Sequence, residues 1–62
     1  SLLPLGVEIA FTTNDVHLAF EASIAAGAKA MKEPEVKPWG QTVAYVRCPD
    51  GTLVELCTPM VG

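Results

Sequence analysis

The chain has 62 residues, half of them apolar and 18% charged, with a formal net charge of −3. That apolar fraction and small charge exclude intrinsic disorder, and its short apolar runs fall far short of the roughly 18 residues a membrane helix needs. Four basic residues against seven acidic ones argue against a nucleic-acid surface.

So short a chain allows one domain at most and buries only about 60% of its unfolded surface. Such scaffolds usually need disulfides, a metal or oligomerisation. No basic stretch leads into an apolar one, so no signal peptide is expected.

Residues 1–5 form an apolar lead-in with Pro4, expected to be a linker. Gly6 opens a strand over 7–12. Its alternation sends Val7, Ile9 and Phe11 one way, and Glu8, Ala10 and Thr12 the other. Thr13, Asn14 and Asp15 are consecutive candidate N-caps, so a helix starts near Asp15. Val16, Ala19, Phe20, Ser23, Ile24 and Gly27 follow at helical spacing on one face. Gly27, which takes a positive φ most cheaply, ends the helix.

Lys29 to Met31 form a short second strand. Pro34 and Pro38 make the segment after it an edge or a loop. Gln41 to Arg47 is a third strand, rich in β-formers. Pro49-Asp50-Gly51 is a strong turn signal. Thr52 to Cys57 is a fourth strand, stopped by Pro59, and 60–62 is a tail. Cys48 and Cys57 bracket that strand, so about five extended residues hold them some 17 Å apart. A disulfide needs Cα atoms within about 7 Å. Both read as free thiols, which points to a reducing, cytoplasmic setting.

The element order is β-α-β-β-β. The helix must cover one sheet face to bury Phe20 and Ile24. Val7, Ile9, Phe11, Val54 and Leu56 suit that face, which leaves Glu8 and Glu55 on the other. Two carboxylates converging on one surface repel unless protonated, paired or bridged by a cation. Hard divalent cations favour such oxygen ligands.

Several stretches carry a resemblance. They are Val7-Glu8-Ile9-Ala10-Phe11, Asn14-Asp15-Val16, Ala25-Ala26-Gly27-Ala28, Pro38-Trp39-Gly40-Gln41, and Pro49-Asp50-Gly51-Thr52-Leu53-Val54-Glu55-Leu56. Together they resemble the C-terminal half of a vicinal-oxygen-chelate domain, the superfamily of glyoxalases, bleomycin-resistance proteins, fosfomycin-resistance enzymes and extradiol dioxygenases. The resemblance spans residues 6–59 and implies an α+β fold: a single βαβββ module with a mixed four-stranded sheet, half of a paired-module barrel.

In metal-dependent members the last strand of a module supplies a Glu ligand, which maps onto Glu55. The first strand supplies a ligand, often His, which maps onto Glu8. Cys48 stands where the turn commonly begins with Asp, and the only histidine, His17, lies on the helix.

The resemblance implies Glu55 as catalytic residue, Glu8 and Glu55 as metal ligands, and Trp39, Gln41 and Tyr45 as substrate contacts. It implies a divalent cation (Ni, Zn, Mn or Fe) in a glyoxalase-like lyase, with a dioxygenase as the lesser expectation. The alternative is a metal-free protein that binds a drug or other small molecule. The expected partners are a small-molecule ligand and a second βαβββ module, in the same protein or as a homodimer, with neither nucleic acid nor membrane.

Overall fold

The computed structural model describes residues 8–59. The expected linker at 1–5, the strand opening at 6–7 and the tail at 60–62 lie outside the described residues. The elements are β1 (Glu8–Thr12), α1 (Val16–Ala25), β2 (Lys29–Val36), β3 (Thr42–Arg47) and β4 (Leu53–Cys57). They form one sheet in the order β1-β4-β3-β2. β1 runs parallel to β4, and the other pairs are antiparallel.

Local chemistry sets the helix ends. Thr13 Oγ1 accepts from the Asp15 N–H at 3.1 Å, and Asp15 Oδ1 accepts from the Leu18 N–H at 3.0 Å. Asp15 is therefore the N-cap and satisfies an otherwise orphaned donor. At the other end the Gly27 N–H donates to Ile24 O and the Ala28 N–H to Ser23 O, both at 3.0 Å. With Gly27 at φ +109 this is a Schellman cap.

Two hairpin turns share one chemistry. In the first, Gly40 N–H donates to Lys37 O at 2.9 Å and Lys37 N–H to Gln41 O at 2.7 Å. In the second, Gly51 N–H donates to Cys48 O and Cys48 N–H to Thr52 O, both at 2.8 Å. Each places Pro first and a glycine at positive φ third (+97 for Gly40, +96 for Gly51). This is the three-residue hairpin, a turn closed by a left-handed glycine bulge.

The core is small. Val16, Ala44, Val46 and Leu56 are buried, and Ala19, Phe20, Ala28 and Val54 pack against them. α1 lies across β3, β2 and β4 and barely reaches β1. Ile9 and Phe11 therefore remain 52% and 53% exposed rather than buried beneath the helix, and Ile24, at the margin of the contact, is 37% exposed. The reason is width: a helix about 10 Å across cannot cover four strands spaced about 4.8 Å apart.

β2 also departs from expectation. It continues through Pro34 to Val36, with register shifts between Ala30 and Lys32 and between Lys32 and Glu35. Pro34 falls within the second irregularity. An edge strand tolerates it there, since one row of its N–H groups has no neighbour to bond.

Candidate functional site

The face turned away from α1 is read off the register. β4 presents Leu53, Glu55 and Cys57 on it, and β3 sets Arg47, Tyr45 and Val43 directly opposite them. β1 sets Glu8 beside Leu53 and Ala10 beside Glu55. Glu8 and Glu55 thus lie diagonally on adjacent strands of one face, about 7 Å apart at Cβ for such neighbours. Beyond β3, Lys32 stands opposite Tyr45.

Glu8, Met31, Lys32, Tyr45, Arg47 and Leu53 line an open concavity of about 410 Å³. Burial raises the Tyr45 pKa above its ordinary 10.0, and the charges of Glu55, Glu8 and Cys57 raise it further. A phenolate beside carboxylates is disfavoured by like charge. At neutral pH, Tyr45 is therefore a hydrogen-bond donor rather than a base. Lys32 is engaged elsewhere, at 3.5 Å from Glu35, which also lies 3.5 Å from Lys37. Lys37 and then Lys32 hold the Glu35 carboxyl below its usual value.

Trp39 and Gln41 lie elsewhere. They line a second concavity of about 510 Å³, with Asn14, Thr42 and Thr58. The Trp39 indole Nε1 donates to Gln41 Oε1 at 2.7 Å, and Gln41 Nε2 donates to Thr58 O at 2.6 Å. The expected site residues therefore fall into two groups: Glu8, Tyr45 and Glu55 on the sheet face, Trp39 and Gln41 at its end. Periodicity gave no sign of Thr58, which enters through a contact 17 residues away in sequence.

Arg47 is half-buried and donates from Nη1 to Gly51 O at 2.8 Å. It braces the β3–β4 turn. His17 is exposed on α1, on the other side of the sheet. Cys48 and Cys57 are free thiols.

Among the described residues no group of three or more His, Cys, Asp or Glu side chains could hold a metal ion. Glu8 and Glu55 are suitable hard donors, but zinc takes four ligands and calcium six to eight. The donor set fits a divalent cation only as half of a shell. Among the described residues no helix is long and apolar enough to cross a membrane.

The family model described as "Glyoxalase-like domain" matches residues 5–61. No curated protein matches the chain. Among solved structures, a member of the glyoxalase/bleomycin resistance protein/dioxygenase superfamily from Sphaerobacter thermophilus is 31% identical. The match has a TM-score of 0.71 and covers 82% of this chain and 41% of that one. TioX from a Micromonospora species is 33% identical with a TM-score of 0.73, over 89% of this chain and 44% of that one. A glyoxalase-related enzyme from Fulvimarina pelagi is similar in fold, with 23% identity and a TM-score of 0.75, over 86% of this chain and 40% of that one. The chain therefore spans less than half the length of each of these three structures.

Proposed function

The chain belongs to the glyoxalase-like domain family, and on that premise we propose that its open sheet face is half of a small-molecule site in a divalent-metal-dependent, glyoxalase-like lyase. One observation carries this reading: Glu8 and Glu55 share a face of two neighbouring parallel strands, with Tyr45 directly across from Glu55. The greater length of the similar structures supports a second βαβββ module as the other half. That module is a further part of the same protein or a second copy in a homodimer. The free thiols of Cys48 and Cys57 support a reducing, cytoplasmic setting.

A Ni, Zn, Mn or Fe cation held by Glu8, Glu55 and donors of the second module supplies Lewis acidity toward adjacent substrate oxygens. The chain's own residues do the rest. Glu55 is the carboxylate placed to take a proton from substrate. Tyr45, kept protonated by its surroundings, donates a hydrogen bond to an oxygen that gains negative charge. Trp39 offers an apolar wall at the end of the sheet.

A second reading is metal-free sequestration of a small molecule in the concavity that Trp39 walls. Metal analysis of the purified protein separates the two. The lyase reading expects stoichiometric metal that Glu55→Gln loses, because one charged ligand is gone. Metal-free wild type that still binds ligand, and a Glu55→Gln protein of unchanged or higher stability through relieved repulsion, support sequestration.

A further inference from the structure

Trp39 is 61% exposed, and an exposed side chain on a turn ordinarily changes rotamer within nanoseconds. Here it is tied. Its only donor, the indole N–H, is spent on Gln41 Oε1 at 2.7 Å. Gln41 is tied in turn, through Nε2 to Thr58 O at 2.6 Å. Thr58 is itself fixed to the start of β3: its N–H donates to Thr42 O at 3.1 Å, and its Oγ1 accepts from the Thr42 N–H at 3.0 Å. A continuous chain of hydrogen bonds thus runs from the β2–β3 turn to the residue after β4.

We propose that Gln41 is a positioning residue. It clamps the Trp39 indole as a fixed wall of the 510 Å³ concavity. Each end of its amide makes one hydrogen bond within the protein, which fixes its orientation. With its N–H consumed, Trp39 offers only ring faces, so the wall selects for apolar or planar groups over hydrogen-bond acceptors. Gly40 makes this orientation possible. Its positive φ turns the chain back at once, which places residue 41 within reach of residue 39.

The inference rests on the reading of Trp39 as a ligand wall, but the clamp is tested without ligand or metal. Trp39 is the only tryptophan, so indole signals report on it alone. In the wild-type protein, NMR should show the indole N–H exchanging about two- to tenfold more slowly than in free tryptophan, as a hydrogen bond of ordinary net strength requires. Gln41→Met, close in shape but without the acceptor, should abolish that protection and increase the fast local loss of fluorescence anisotropy, with the far-UV circular dichroism unchanged. Gln41→Glu keeps an acceptor for the indole but sets a carboxylate oxygen against Thr58 O in place of the donor, so it should restore only part of the protection.

Wild-type exchange at the free-tryptophan rate would overturn the clamp whatever the variants do. So would a folded Gln41→Met protein with wild-type exchange and anisotropy. Failure of the lyase reading appears instead as missing metal, which leaves these indole signals unmoved.

Discussion

At the residue scale the site turns on Tyr45, the only tyrosine. Burial comes first among the causes of its raised pKa, followed by the charges of Glu55, Glu8 and Cys57. An ultraviolet titration of the phenolate should therefore give a midpoint above 10.0, and Glu55→Gln should move it back toward that value. The sign also governs stability. The folded protein holds the phenol proton more tightly than the unfolded chain does. This contribution is fully present below about pH 10 and is lost as pH rises through the raised native value. Denaturation followed between neutral and strongly alkaline pH should show that loss in wild type and a smaller one in Glu55→Gln.

At the element scale the two Pro-Xaa-Gly hairpins set the register of β3 against its neighbours. Gly51 sits at φ +96, where an L side chain is strained. Gly51→Ala should cost about 1–2 kcal/mol, read as a lower urea midpoint with an unchanged slope. The Asp50 side chain supports the same turn, with Oδ1 accepting from the Thr52 N–H at 3.0 Å. That hydrogen bond holds the Asp50 carboxyl below its ordinary value. The turn bond therefore weakens only as pH falls through that lowered value. On β2 and just after it, Pro34 and the Lys32–Glu35–Lys37 charges mark an edge unsuited to adding another strand.

At the scale of the whole molecule, one helix serves four strands. Its cover stops short of β1, so Ile9 and Phe11 face an apolar groove of about 430 Å³ shared with Ala19, Ala22, Val54 and Leu56. The opposite face bears the carboxylates and Tyr45. Among the described residues five apolar side chains are buried, four of them in one cluster, a core too small for a stable isolated domain. A second module is expected to close the carboxylate face, through an interface well above the roughly 800 Å² of casual contacts. For this chain by itself that means self-association: the melting temperature should rise with protein concentration, and sedimentation should show a dimer. A folded monomer with a concentration-independent melt would remove the homodimer from the proposal.

Much of the fold was legible in the residues, because the relevant physics is local. The Asp15 cap, the Gly27 stop and the Pro-Asp-Gly turn are each specified within about five residues by backbone preferences and short-range hydrogen bonds. The two-residue alternation likewise put Glu8 and Glu55 on the faces away from their apolar neighbours before any pairing was known. Pairing itself is non-local. Only the tertiary structure set β1 beside β4, so that Glu8 meets Glu55 on one surface. It alone carried β2 through Pro34, since an edge position forgives a missing N–H. It alone left Ile9 and Phe11 uncovered, because a helix's width, unlike its pattern, is tested only against the sheet it lies on. It also brought Gln41 to Thr58, since hydrogen-bond partners far apart in sequence meet only once the strands are in register.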